Sequence, residues 1–177
     1  MLLTIVVLPI SIVRAGSNEP ALVINEIMTA NIDMFLDPSM NYGNWIELYN
    51  TSHEDIDISG WYLSNDSTDT RQCPLGNRTR VVKADSFLTL WFGHVDDYCL
   101  DQIEFDLKYD AGVVLLSDND GNPVSKVEYD VIPARISYAR TTDGGNAPIS
   151  TAAVATSTRR FTLSRSAVWT KQIISCA

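Results

Sequence analysis

The chain has 177 residues, 45% hydrophobic and 20% charged, with a formal net charge of −9, a balance that predicts one globular domain with short extensions. All 22 acidic residues lie at or before Asp143 beside nine of the 13 basic ones, a net charge of −13, and a body this acidic excludes nucleic acid as its partner. Gly144 to Ala177 carries four basic residues and no acidic one, too sparse for a nucleic-acid-binding arm.

In chain order, Leu2 to Val13 is an apolar run broken only by Thr4, Pro9 and Ser11. It is shorter than the roughly 20 residues a spanning helix needs, and Val13-Arg14-Ala15 offers the small residues of a cleavage site. Residues 1–15 are therefore expected to be a signal peptide cut after Ala15. The mature protein is expected to be secreted, periplasmic or at the cell surface, with no stable membrane span after cleavage.

The middle of the chain predicts strands and turns and no helix. Leu22 to Met28 is rich in Val and Ile. Trp45 to Tyr49 alternates Ile46 and Leu48 against Glu47 and Tyr49, the period of a half-buried strand. Ile56 and Ile58 alternate with Asp55, Asp57 and Ser59 before Gly60 turns the chain into Trp61-Tyr62-Leu63. Phe87 to Phe92 is apolar on both faces and predicts a central strand buried on two sides. Val113 to Leu116 runs into Asp118-Asn119-Asp120-Gly121, a hairpin turn with Gly where a positive φ is needed. Val124 to Tyr129 returns, and Ile136 to Ala139 closes the series. Short strands punctuated by Gly, Pro, Asn and Asp predict an all-β sandwich or barrel. Thr29–Asn44 and Asn65–Arg78 read as loops, and residues 147–177 as a basic, low-complexity tail to which no fold is assigned.

Catalytic chemistry is hard to place on these residues. His53 and His94 fall in polar turns, and no G-x-S-x-G elbow or C-x-x-C pair occurs, so no nucleophile–base pair and no structural zinc site is expected. Aligning Gly121 with the glycine of a calcium loop puts Leu116 and Val127 at ligand positions, and the loop fails. Looser acidic groups remain, Asp33 with Asp37, and Asp96 with Asp97 and Asp101, but solvated acids are the ordinary reading, and no metal or cofactor is expected. Glu26, Glu47, Glu104 and Glu128 sit on predicted strands, where a lone Glu usually takes the solvated face. Trp45, Trp61, Trp91, Tyr42, Tyr49 and Tyr62 offer rings for stacking on sugars, although alternating aromatics are more often core. Asn50-Thr51-Ser52, Asn65-Asp66-Ser67 and Asn77-Arg78-Thr79 match the glycosylation pattern. Cys73 and Cys99 are candidates for a disulfide in an exported chain, which would contribute about 3 kcal/mol in the chain-entropy model. Cys176 would be left odd.

Val23-Ile24-Asn25-Glu26-Ile27-Met28, Asn44-Trp45-Ile46-Glu47-Leu48-Tyr49-Asn50 and Ser59-Gly60-Trp61-Tyr62-Leu63, in that order, resemble the lamin tail domain in its bacterial, extracellular form. Val82-Lys83-Ala84 before Phe87-Leu88-Thr89-Leu90-Trp91, Val114-Leu115-Leu116-Ser117-Asp118, and Ser137-Tyr138-Ala139-Arg140 are similar to its later strands. The resemblance implies an immunoglobulin-like β-sandwich, here over residues 16–146, and supplies no catalytic residue. It also implies that Asn25, Glu26, Trp45, Glu47, Trp61 and Trp91 are structural. Where the family continues past the Tyr138 strand with an aromatic and a Pro-Gly segment, this chain has its Ala/Ser/Thr tail, which puts the last strand in question.

The expected function is a non-catalytic interaction or scaffold module, an accessory domain of a larger exported surface protein, with a protein or surface-glycan partner. The alternatives are the targeting module of a secreted CotH-kinase-like or hydrolase enzyme, and a carbohydrate-binding module.

Overall fold

The computed structural model describes residues 20–76, 80–93, 102–145 and 149–152. The expected signal segment, Asn77, His94, Asp96, Asp97, Cys99, Asp101 and Cys176 lie outside the described residues.

Twelve strands are seen among them: β1 (Leu22–Met28), β2 (Asn44–Asn50), β3 (Ile56–Asp57), β4 (Tyr62–Ser64), β5 (Cys73–Pro74), β6 (Val81–Val82), β7 (Phe87–Phe92), β8 (Gln102–Ile103), β9 (Gly112–Ser117), β10 (Pro123–Tyr129), β11 (Ser137–Ala139) and β12 (Ser150–Ala152). They form a six-stranded sheet in the order β12-β11-β1-β2-β7-β8, a four-stranded sheet in the order β10-β9-β4-β5, and the small pair β3-β6. All pairings are antiparallel except β7 with β8. Ile24, Ile46, Leu48 and Leu90 of the larger sheet share one core with Leu63, Val114, Leu116 and Val127 of the smaller. The all-β, immunoglobulin-like sandwich is thus present, two layers closed over one apolar interior.

The alternation read along β2 is what seats it. Ile46 and Leu48 are fully buried in the core. β1 needs one more device, because Ile24 and Ile27 both enter the core although three residues apart, a spacing that in a regular strand puts them on opposite faces. The register shifts between Ile24 and Glu26, so that Ile24 pairs with Leu48 and Glu26 with Glu47. Asn25 is the extra residue of a β-bulge. β11 pairs with β1 only at Glu26 and Ile27, and side chains complete the ladder at Ile24. Its N–H donates to Ser125 Oγ of β10 at 3.0 Å and its carbonyl accepts from Arg140 Nε at 3.0 Å. Backbone groups buried here would be costly if left unpaired.

The hairpin between β9 and β10 is built as its sequence predicts. Asp118 Oδ1 accepts from the N–H groups of Asp120 and Asn122 at 2.9 and 2.8 Å, and Gly121 has φ 79°. Three elements differ from the sequence reading. β7 is half-buried along Phe87, Leu88, Thr89 and Trp91 rather than enclosed on both faces, and among the described residues the strand beyond it is the two-residue β8 at the sheet edge. The stretch Asn65–Arg78 contains β5, an edge strand where Pro74 removes no inward hydrogen bond. Ser150–Ala152, in the tail, pairs with β11 and extends the larger sheet.

Candidate functional site

The register of β1, β2 and β7 lays out three cross-strand rows on the face of the larger sheet that looks away from the core. Met28, Trp45 and Trp91 form one row, Glu26, Glu47 and Thr89 the next, and Val23, Tyr49 and Phe87 the third. Directly opposed side chains on neighbouring strands lie about 5 Å apart at Cβ, so each row is a set of touching neighbours. The Tyr49 and Phe87 rings stack at 4.5 Å between centroids, and Trp45 and Trp91 meet at 6.5 Å with a 60° tilt.

The loop between β1 and β2 folds over two of these rows, and Asn31 fixes its path. The Asn31 amide donates to the carbonyls of Phe35 and Gly43 at 2.7 and 2.8 Å, while its oxygen accepts from the N–H groups of Met34 and Phe35, both at 3.1 Å. Asp37 is buried and accepts from the Asn41 N–H at 2.8 Å, turning the chain back. Gly43 then passes close to β7, where an added Cβ would stand 3.1 Å from the Phe92 carbonyl oxygen. The loop brings the Phe35 ring edge-on to Trp45, 6.1 Å between centroids at 80°. Between loop and sheet lies a groove of about 430 Å³. Its walls are Trp45, Trp91, Met34 and Phe35, its rim Leu36 and Tyr42, and its polar side Glu26, Glu47 and Thr89. Leu36 is 43% and Tyr42 48% exposed, which leaves an apolar rim open to solvent.

Glu26 and Glu47 are each only 2% exposed. This corrects the expectation that strand glutamates take the solvated face: alternation puts both on the outer face, but the loop covers that face. Ser137 Oγ donates to Glu26 Oε1 at 2.6 Å, and Asn25 Nδ2 reaches Glu47 Oε1 at 3.4 Å. The two carboxylates stand side by side on adjacent strands. Glycosidase chemistry needs such a pair on opposite sides of a bond, and this arrangement does not provide it. The Trp45 indole N–H is buried and meets no acceptor.

Of the six aromatics that sequence reading singled out, the fold brings Trp45, Trp91 and Tyr42 together in the groove. Tyr49 is stacked on Phe87, Trp61 packs half-buried against the core, and Arg71 lies over the Tyr62 ring at 5.8 Å. Trp45 and Trp61 therefore do not make an open stacking platform. Glu128 is exposed and pairs with Lys126, and Glu104 is exposed just after β8. His53 is exposed and bonds Asp85 at 2.9 Å. Asp33 and Asp37 do not meet in one site: Asp33 makes a two-bond pair with Arg135 at 2.7 and 2.6 Å, whose guanidinium holds its carboxyl below the usual range, while Asp37 turns into the loop. Among the described residues no group of three or more His, Cys, Asp or Glu side chains is placed to hold a metal. Asn50 is buried, its amide donating to the carbonyls of Glu54 and Val82, and so offers no acceptor for a glycan. Cys73 is buried and its thiol is pushed up by burial; its expected partner Cys99 lies outside the described residues.

Sequence reasoning missed Asn31, Met34, Phe35 and Leu36. The signal was present as the apolar run Met34-Phe35-Leu36 inside an otherwise polar loop.

A family model described as the Lamin Tail Domain matches residues 15–130, which takes in β1 to β10 and the whole loop over the groove. None of the curated proteins matches the sequence. That family is a non-enzymatic, immunoglobulin-like one. The chain belongs to the Lamin Tail Domain family.

Proposed function

We propose that this lamin tail domain is an extracellular interaction module that holds a partner in the groove on the outer face of its larger sheet. The observation that carries this reading is the groove itself: aromatic walls on two hydrogen-bonded strands, Trp45 of β2 and Trp91 of β7, under a loop pinned by Asn31, with Leu36 and Tyr42 exposed at the rim. An apolar concavity with a few convergent polar groups is the usual form of a recognition site, and a rigid sheet behind it keeps the ordering cost of binding low. The apolar run expected to be an export signal over residues 1–15 supports an extracellular setting, and the acidic body of the chain supports a partner that is not a nucleic acid.

Selection of a random peptide library against the protein tests the reading. Enriched peptides are expected to lose binding to the double variant Leu36→Ser/Tyr42→Ala and to keep it with Tyr109→Ala, an exposed hydrophobic position elsewhere. Peptides indifferent to the rim substitutions, or no enrichment at all, would overturn it. Mass spectrometry of the exported chain is expected to show the loss of residues 1–15, and an intact N-terminus on that protein would remove the export part.

A further inference from the structure

Resting on the reading of the groove as an interaction site, we propose that the segment filling it in the free protein is the chain's own tail, with Phe161 and Leu163 seated between the loop and the aromatic walls.

The groove asks for an apolar occupant. Glu26 and Glu47 are already engaged within the domain and the Trp45 indole N–H is buried, so the walls present ring and aliphatic surface. The loop above them is apolar on its outside too. Of the six large hydrophobics exposed among the described residues, Ile32, Leu36, Met40 and Tyr42 all belong to it. Apolar surface gathered in one exposed place marks a contact site.

The fold delivers the tail to that place. Ala152, the last residue of β12, pairs with Ser137, whose hydroxyl meets Glu26 on the outer face of the sheet. β12 is antiparallel to β11, and β11 to β1. β12 therefore runs with β1, and the chain leaves it toward the end of the sheet where Met28 leads into the groove loop. Ile27, Tyr138 and Thr151 stand in one row, which puts Ala152 in line with the row of Met28, Trp45 and Trp91. Three strand spacings separate β12 from β2, about 14 Å. The nine residues from Ala153 to Phe161 reach up to about 30 Å, enough to cross the sheet and turn into the groove.

The tail also has the right composition. Phe161 and Leu163 alternate with Arg160, Thr162 and Ser164, so an extended segment puts both apolar side chains on one side. The 25 residues after Ala152 hold four basic residues and no acidic one, whereas the chain up to Asp143 carries −13, and opposite charge draws the segment onto the body. At the effective concentration of about 1 mM that a short linker gives, a segment with a Kd of about 0.1 mM fills the groove about nine-tenths of the time. A partner must then displace it, which weakens its apparent affinity about tenfold.

Photocrosslinking of the full chain with p-benzoylphenylalanine in place of Phe161 tests the contact. Irradiation is expected to join position 161 to the groove loop or to Trp91 within one molecule, as mapped by mass spectrometry. Crosslinks to other surfaces, or none, would overturn the proposal. So would groove crosslinks found only in dimers, which assign the occupant to a second copy. Competition supplies an independent measurement. A synthetic peptide of residues Ser157–Lys171 is expected to bind the full chain carrying Phe161→Ser/Leu163→Ser about tenfold more tightly than the unaltered chain. Its affinity is expected to fall with added salt and to be lost when Leu36→Ser/Tyr42→Ala are added at the rim. If library peptides engage the rim with equal affinity in the unaltered and tail-substituted chains, the tail assignment falls and the interaction reading stands. If neither the tail nor any library peptide engages it, both fall.

Discussion

At Gly112 an added Cβ would stand 2.6 Å from the Tyr129 Cζ and 3.2 Å from its Cε1. The two residues are register partners at the ends of β9 and β10, and the aromatic ring lies over the bare backbone of the glycine. The ring is held there at its far end, where the Tyr129 hydroxyl donates to the Lys108 carbonyl at 3.1 Å. Tyr129 is 5% exposed, so it has no free direction in which to retreat. Gly112→Ala is therefore expected to behave as an overpacking substitution and to destabilise the fold by about 1–3 kcal/mol, read from the midpoint of urea unfolding. In a Tyr129→Leu background the same substitution is expected to cost much less, because the obstructing ring is gone. Equal costs in both backgrounds would mean that the glycine serves the backbone and not the ring.

Among the elements, β1 shows best what a sequence discloses and what it withholds. The Val and Ile content of Leu22–Met28 makes a strand legible, as does the alternation in Trp45–Tyr49 and the Asp-Asn-Asp-Gly turn before β10. The bulge at Asn25 is not legible, since one extra residue leaves the local composition unchanged and its evidence is the register of a partner strand. Burial of Glu26 and Glu47 escapes for a related reason. Alternation assigns a side chain to a face, but what covers that face depends on a loop fixed by Asn31 through bonds to Phe35 and Gly43. The groove was half visible, in Trp45, Trp91 and Tyr42, and its loop wall was not. The two-residue β5 and the tail strand β12 are too short for any period to show. Asn25 also ties the end of the domain to the sheet. Its amide donates to Asp143 Oδ1 at 2.8 Å, its side-chain oxygen accepts from the Gly144 N–H at 3.1 Å, and its carbonyl accepts from the Arg140 N–H at 2.9 Å. Asn25→Ala keeps the carbonyl bond and removes the other two, together with the 3.4 Å contact to Glu47 Oε1, leaving polar groups in a largely buried place. A loss of about 1–3 kcal/mol is expected, with amide exchange accelerated at Gly144 and little changed at Ile46. Uniform acceleration across both sheets would show that Asn25 supports the whole sandwich and not this turn.

For the molecule as a whole, surface carboxylates and two packed tyrosines, one buried and one half-buried, set opposite limits to the pH range of stability. Asp33, Asp55, Asp118 and Glu128 are held below the ordinary carboxylate range chiefly by side-chain hydrogen bonds from Arg135, Lys83, Asn122 and Lys126. Asp57 and Asp66 are held low by Ser59 and Thr68. A group whose folded value is depressed contributes stability that is present above its unfolded value, about 4, and is lost as pH falls through the folded value. Tyr49 and Tyr129 move the other way, raised first by burial. Their contribution is present below about 10 and is lost as pH rises through the folded value, because the unfolded chain ionises first. Repulsion among the excess acids, nine in the formal net charge, eases as pH falls from 7 toward 5 and shifts the optimum to the acid side of neutrality. The urea midpoint is thus expected to peak between about pH 5 and 7, to fall below about 4 and to fall again above about 10. Tyr129→Phe separates the two limits: it is expected to lower the midpoint slightly at pH 7, through the lost bond to Lys108, and to make the alkaline fall shallower without moving the acid one. Asp118→Asn with Asp66→Asn is expected to do the converse. An alkaline limb of unchanged slope in Tyr129→Phe would show that this tyrosine, packed in the core, does not control it.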